Sequence, residues 1–273
     1  MVHCKGGEFV PLRDTKYKRN LSILKVYGVG DNRKIKVVTM FSVRNAGVDC
    51  DFKSSAPGTV NDDKLENNIA RARSKIFELA FCNPWDYFFT GTLDAKKYDR
   101  QNLEIFHADV TRFLRSEYDA AIPFLLIPEL HKDGKSWHMH GFLSGVPDDA
   151  LHRFVVGDHM GKALAQKVVA GDPVYNWPAY AEKFGFCDLE PVRSPEAVSK
   201  YVMKYISKDL ARSVTASGAH LYYHSRGLLG AQTIKKGTML ADIVPTYQND
   251  YCRVAWLPYS DELLQSLSES FVR

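Results

Sequence analysis

Two histidines at alternate positions of an apolar segment are the residues of this sequence with the clearest chemical potential. They are His138 and His140, in the segment "WHMHGF" at residues 137–142. Alternate side chains of a β-strand point to the same face, so both imidazoles are expected on one side of a sheet, with Met139 on the other. Two imidazoles that converge in this way are candidate ligands for a divalent cation.

A carboxylate is predicted to lie across a hairpin from this pair. Asp133-Gly134 is a strong signal for a two-residue turn, and a turn there makes residues whose numbers sum to 267 face each other, which places Glu129 opposite His138. Side chains in such positions are close enough for Glu129, His138 and His140 to reach one Lewis-acidic cation. His131 shares the face of Glu129 and is an alternative or supporting residue. The competing interpretation is that these histidines only pack or hydrogen-bond.

A second group of reactive side chains lies on a predicted helix that begins at Ser194, with Pro195 in its first turn. Four side chains fall within an arc of about 100° on this helix: Tyr201, Lys204, Tyr205 and Lys208. Neighbouring cations favour the phenolate form of tyrosine, which is the nucleophilic form, and lysine suits a developing negative charge on a phosphate. The alternative is an ordinary amphipathic helix with half-buried tyrosines.

The elements around these residues predict an α+β fold. Hairpin strands are expected within residues 22–44, further strands at 85–93, 124–130 and 185–192, and helices at 65–79, at 102–118 and from about Asp148. Strands and helices in this order favour a mainly antiparallel sheet with helices on one face. The apolar content of 45% is enough to bury a core in a chain of 273 residues.

Charge and hydropathy restrict the location of the protein and of its binding surfaces. Lys and Arg total 36 against 32 Asp and Glu, so any nucleic-acid-binding surface must be local, with "RARSK" at 71–75 as one candidate. Neither a signal peptide nor an apolar run of ~18 residues is recognisable, so we expect a cytoplasmic protein that does not contact a membrane.

Three segments, in this order, resemble the motifs of the HUH endonuclease superfamily, specifically the two-tyrosine rolling-circle replication initiators of small phages and plasmids. They are "FFTGTL" (88–93), "HMHGF" (138–142) and "YVMKYISK" (201–208), and "PELHKDG" resembles the segment that supplies an acidic third metal ligand in such proteins. "SRGLLG" at 225–230 is also similar to a segment of phage and plasmid initiators. The resemblance covers roughly residues 65–240, and Gly91 departs from it where a bulkier residue is usual.

The resemblance implies a ferredoxin-like or RRM-like antiparallel sheet with helices packed on one face. It implies that Tyr201 or Tyr205 attacks a phosphodiester of origin DNA, which leaves a 5′-phosphotyrosyl link and a free 3′-hydroxyl, and that the protein later rejoins strands. Mg²⁺ or Mn²⁺ would be held by Glu129, His138 and His140. Lys204 and Lys208 would neutralise charge on the phosphate.

Domain organisation and partners follow from the same resemblance. We expect an N-terminal hairpin extension and linker at 1–60, a catalytic domain at 61–215 and a C-terminal extension of unknown role at 216–273. The expected partner is single-stranded or hairpin origin DNA in a bacterial cytoplasm. A host helicase and polymerase are expected because "GDHMGKA" at 157–163 lacks the spacing of an ATP-binding loop.

Three alternatives remain open. A related HUH transposase or relaxase would use similar chemistry. A non-catalytic, RRM-like nucleic-acid-binding protein would need the tyrosine rings but not their hydroxyls. A metal-dependent hydrolase would cleave DNA without a covalent step.

Overall fold

A computed structural model describes residues 21–40, 62–194, 219–248 and 252–272, the backbone of 2–3 and 9–10, and eight single residues between 196 and 214: Glu196, Ser199, Val202, Tyr205, Leu210, Ala211, Ser213 and Val214. The strands are β1 (Val2–His3), β2 (Phe9–Val10), β3 (Leu21–Tyr27), β4 (Lys34–Met40), β5 (Tyr87–Thr92), β6 (Phe124–Leu130), β7 (Trp137–Leu143), β8 (His152–Arg153), β9 (Tyr175–Asn176), β10 (Cys187–Pro191), β11 (Tyr223–His224), β12 (Gln232–Met239), β13 (Tyr247–Gln248), β14 (Cys252–Pro258) and β15 (Phe271–Val272). The helices are α1 (Asp62–Cys82), α2 (Thr111–Ser116), α3 (Lys162–Val169), α4 (Pro178–Lys183) and α5 (Asp261–Glu269).

The chain divides into two compact units. The larger comprises residues 56–229, and the smaller comprises residues 1–55 together with 230–273. Strands from both ends of the chain form the six-stranded sheet of the smaller unit, in the order β13-β14-β4-β3-β12-β15. Its core is formed where buried Leu24, Ile35, Val37 and Ala255 pack with Leu267 of α5. The domain boundaries and the roles expected for residues 1–60 and 216–273 stay predictions.

The larger unit is built on a seven-stranded antiparallel sheet in the order β11-β6-β7-β5-β10-β9-β8. The hairpin of β6 and β7 lies inside this sheet, between β11 and β5. The first five residues of β6, "FLLIP", are buried on both faces, as the continuous apolar run of this segment requires. The predicted α+β class with antiparallel sheets is confirmed.

Aromatic side chains cover one face of this sheet. Phe89 of β5 contacts Tyr180 of α4 with ring centroids 5.2 Å apart, and Tyr180 in turn contacts Phe113 of α2 at 6.2 Å. Gly91 points to this same face, since a Cβ there would lie 2.6 Å from the Tyr180 hydroxyl. Close packing against α4 therefore explains why a bulkier residue is absent at Gly91.

The segment "SRGLLG" joins the edge of the sheet to the end of α1. Asn83, just after α1, is buried, and its side-chain amide donates to the carbonyl of Leu229 at 2.9 Å and accepts from the amide of Leu229 at 2.8 Å. The backbone amide of Phe124 donates to Ser225 Oγ at 3.1 Å. These contacts give the segment a structural function that the sequence did not indicate.

Two local expectations differ from the structure. The helix expected from Asp148 is only a 3₁₀ turn at Asp148–Ala150, and the helix α3 begins at Lys162. The expected long helix at 102–118 contains a π-helical turn, Phe106–Val110, before α2. In the described part of the chain, no helix is long and apolar enough to cross a membrane.

Gly141 allows β6 and β7 to approach each other, and its replacement tests this packing. A Cβ at this position would overlap the backbone carbonyl of Leu125, which is fixed by the sheet. We expect Gly141→Ala to lower the free energy of unfolding by at least ~3 kcal/mol or to prevent folding. Gly161→Ala is the control, because a Cβ there meets nothing within 4 Å and φ is −68°. Urea unfolding followed by circular dichroism measures both, and equal small losses would contradict the packing argument.

Candidate active site

The hairpin register places the predicted carboxylate where the sequence indicates. Glu129 pairs with His138 across β6 and β7, which confirms the predicted register. The turn itself is longer than predicted, because the amide of His131 donates to the carbonyl of Ser136 at 2.8 Å and leaves a four-residue loop at 132–135. Both loops have the same centre, so the register is unchanged. Gly134 adopts a φ of +69° in this loop, a conformation that glycine reaches without strain.

Glu129 and His140 form a direct hydrogen bond. The separation of His140 Nε2 and Glu129 Oε2 is 2.7 Å, and His140 is the diagonal neighbour of Glu129 across the strands. This hydrogen bond is the main reason that the pKa of the Glu129 carboxyl is lowered, so Glu129 is a carboxylate and Nε2 donates to it. The His140 side chain is only 12% exposed, whereas that of Glu129 is 43% exposed.

Four nearly parallel rings form a column along this face of the sheet. His131 stacks on His138 with centroids 4.6 Å apart, His138 and His140 are 6.2 Å apart, and Tyr205 stacks on His140 at 4.4 Å. Phe88 of β5 lies beside the column, 6.2 Å from the His140 ring and 6.4 Å from the Tyr205 ring. The column therefore joins the histidine motif to the tyrosine motif.

His138 is held in its neutral form. Burial lowers its pKa to about 4, and the neighbouring His131 and His140 lower it further because a second positive charge is unfavourable there. A neutral imidazole keeps a lone pair available for a proton or a metal ion.

Of the four predicted residues on the tyrosine helix, the structure describes one. Tyr205 is half-buried against His140 and Phe88. Val202 and Leu210 of the same segment are buried in the core of the larger unit, as the predicted apolar face requires. Tyr201, Lys204 and Lys208 lie outside the described residues.

Thr90 and Asp188 are parts of this site that the sequence did not indicate. Asp188, Thr90 and His140 occupy one cross-strand row on β10, β5 and β7. Thr90 Oγ1 lies 3.3 Å from His140 Nδ1 and also hydrogen-bonds the Asp188 carboxyl group. Asp188 alternates with the buried Cys187 and Leu189 in "CDL", which indicates its face, but only the pairing of distant strands shows that this face is shared with His140.

The donor set fits a divalent cation in chemical type but not in its present arrangement. Two imidazole nitrogens and one carboxylate oxygen are ligands that Mn²⁺ and related ions accept. A cation bound to Glu129 and His140 would have to replace the proton that these two side chains share. Within the described ranges, no group of three or more His, Cys, Asp or Glu side chains is arranged to hold a metal ion.

Comparison with known proteins gives one match. Residues 86–210, somewhat less than half of the chain, match a family model described as replication-associated protein ORF2. No curated protein and no solved structure gives a significant match. The matched range contains all three motifs and the whole ring column, and the similarity supports a replication-associated protein of the initiator type.

The buried Asp188 predicts a pH-dependent cost in stability. Burial raises its pKa to about 6, so the folded state binds more protons than the unfolded state between about pH 4 and pH 6, and stability falls as pH rises through this window. We expect Asp188→Asn to raise the free energy of unfolding by about 2 kcal/mol at pH 7.5 and to have no effect at pH 3.5. Urea titrations at both pH values measure the difference.

The control for this measurement is Asp149→Asn, at an exposed position of the same unit. We expect this substitution to change stability by less than ~0.5 kcal/mol at either pH. A stability gain in Asp188→Asn that is equal at the two pH values would contradict the assignment of the cost to ionisation.

Proposed function

We propose that this protein is a replication initiator of the HUH type that nicks one strand of origin DNA by tyrosine attack and later rejoins strands. The observation that carries the proposal is the 4.4 Å stacking of the Tyr205 ring on His140, the same imidazole that hydrogen-bonds Glu129. A phenol, two imidazoles and a carboxylate on one sheet face form a site suited to phosphoryl transfer. The match to a replication-associated family supports this use of the site.

The proposed cleavage exchanges one phosphodiester for another. The hydroxyl oxygen of Tyr205 or Tyr201 forms a bond to the scissile phosphorus, and the bond from phosphorus to the 3′-oxygen breaks. The phenol loses its proton and the departing 3′-oxygen gains one, so the products are a 5′-phosphotyrosyl link and a free 3′-hydroxyl. Because a phosphodiester is conserved, no ATP is consumed, and the second tyrosine can reverse the reaction to close a strand.

Glu129, His138 and His140 are the proposed ligands of Mg²⁺ or Mn²⁺. A cation bound there would polarise the scissile phosphate as a Lewis acid. Thr90 and Asp188 would orient His140 through its Nδ1 side, as outer hydrogen bonds commonly do for ligating histidines. Lys204 and Lys208 are proposed to offset the charge of the phosphate.

The proposal extends to the partners of the protein. Single-stranded or hairpin origin DNA is the substrate, and a host helicase and polymerase would extend the free 3′-hydroxyl. The proposed compartment is the cytoplasm of a bacterial host.

Loss of the tyrosine hydroxyls tests the covalent step. We expect wild-type protein with Mn²⁺ and end-labelled origin DNA to give a protein–DNA adduct that survives denaturing electrophoresis. Tyr201→Phe/Tyr205→Phe should give no adduct, because phenylalanine keeps the ring but lacks the attacking oxygen. The single variants identify the tyrosine that attacks first.

Tyr175→Phe is the matched control, since Tyr175 lies on β9 of the same unit and outside the ring column. It should form the adduct at the wild-type rate. Cleavage without any adduct would show a hydrolase, and unchanged DNA binding with no cleavage would show a non-catalytic binding protein.

A separate measurement tests the proposed metal ligands. We expect Glu129→Gln and His138→Ala each to reduce Mn²⁺-dependent cleavage by at least ~100-fold, because outer contacts alone do not hold a cation at a site that has lost a ligand. Titration calorimetry should show weaker Mn²⁺ binding in the same variants. His152→Ala, at an exposed position on β8, is the control. Wild-type Mn²⁺ affinity in all three variants would reject these ligands.

A further inference from the structure

The larger unit contains a cavity whose residues take no part in the site described above. Its volume is about 650 Å³, and it lies between α1, α2 and residues 219–224, with Phe124 on its wall. Pockets for small ligands usually have volumes of ~300–1,000 Å³. The cavity shares no lining residue with the Glu129, His138 and His140 cluster.

Helical spacing brings basic side chains to this cavity. Arg71 and Lys75 are four residues apart on α1 and therefore lie on one face of that helix. His107 and Arg115, two turns apart, face the cavity from the π-helical turn and from α2. The basic segment "RARSK" is thereby divided, since Arg71 and Lys75 line the cavity whereas Arg73 does not.

The charges of this cavity suit an anion. Lys75 pairs with Glu78 at 2.8 Å and His107 with Glu104 at 3.1 Å, so their contributions are partly offset. Arg115 lies over the Phe124 ring at 5.7 Å, which leaves its guanidinium hydrogen-bond donors directed away from that ring plane. Among the described lining residues there is no Asp or Glu. Arg71 and Arg115 are thus the cations best suited to bind a phosphate.

Aromatic rings supply a second kind of contact in the same cavity. Tyr222 and His224 both line it, with ring centroids 5.8 Å apart and planes inclined by 17°. Tyr222 is half-buried, whereas His224 is exposed. Planar rings at the edge of a basic cavity favour stacking of a nucleic-acid base.

We propose that this cavity binds a nucleotide, with the phosphate on Arg71 and Arg115 and the base against Tyr222 and His224. The nucleotide has two sources, as one unit of a single-stranded DNA or as a free mononucleotide. Because the lining residues are separate from the tyrosine and histidine site, the proposal does not depend on the chemistry of that site.

Two double variants of the full-length protein test the phosphate contact. Fluorescence anisotropy with a labelled oligothymidylate measures the affinity of wild type, Arg71→Ala/Arg115→Ala and Arg73→Ala/Arg112→Ala. The second double variant is a matched control, because it removes two arginines from the same helices at positions that do not line the cavity. Thermal unfolding monitored by circular dichroism verifies that each variant is folded.

We expect the cavity variant to bind the oligonucleotide about 10- to 100-fold more weakly and the control to change by less than about twofold. Loss of two phosphate contacts should also reduce the dependence of log K on log salt by about 1.4, since each contact to a single strand contributes ~0.7. Equal weakening in the two double variants, or no weakening in either, would overturn the proposal.

Substitution of Tyr222 tests the base contact independently. We expect Tyr222→Phe to bind like wild type, because stacking needs only the ring, and Tyr222→Leu to lose about 5- to 100-fold in affinity, as ~1–3 kcal/mol per stacked base implies. Identical affinities of the phenylalanine and leucine variants would reject a base in this cavity and leave only an anion site.

The two sources of the nucleotide are separated by titration calorimetry with thymidine monophosphate. Binding of thymidine monophosphate to wild type that is lost in Arg71→Ala/Arg115→Ala supports a free mononucleotide site. Weakened oligonucleotide binding in that variant, without binding of the mononucleotide to wild type, supports a subsite for the DNA strand. Binding of the mononucleotide that survives in the cavity variant counts against this cavity.

Discussion

The pairing of β6 with β7 determines where the reactive side chains of this protein lie. This pairing sets Glu129 opposite His138 and diagonal to His140, and a shift by one residue would turn all three to other positions. Gly141 makes the close approach of the two strands possible, because any side chain there would overlap the Leu125 carbonyl. A hydrophobic constraint in the middle of the sheet therefore fixes a polar site at the end of the hairpin.

The larger sheet uses its two faces for different purposes. Aromatic residues of α2 and α4 cover one face, where Phe89 and Tyr180 pack closely. The other face carries the ring column and the buried Asp188 carboxyl, whose raised pKa shows that burial of its charge is unfavourable. A sheet selected for stability alone would have apolar residues in such positions. The unfavourable term is consistent with a site in which function limits stability.

Sequence reasoning succeeded where structure depends on neighbours along the chain. The β6–β7 register follows from a turn signal only four residues from Glu129, and even a longer loop left it unchanged because its centre was the same. Thr90 and Asp188 were missed because they reach His140 through pairing with β5 and β10, which lie ~50 residues from β7 in either direction. The shared sheet of the two chain ends and the cavity between α1 and α2 depend on equally distant contacts.

The ring column connects two motifs that have no contact in the sequence. The stacking of Tyr205 on His140 has a centroid separation of 4.4 Å, so movement of the tyrosine ring changes the surroundings of an imidazole that also contacts Glu129 and Thr90. Stacked aromatic pairs contribute about 0.5–1.5 kcal/mol beyond burial, which is enough to favour one position of the ring without fixing it. A nucleophile must leave such a position to reach phosphorus and must return for a second reaction. A contact of this modest strength suits a tyrosine that alternates between the protein and a DNA strand.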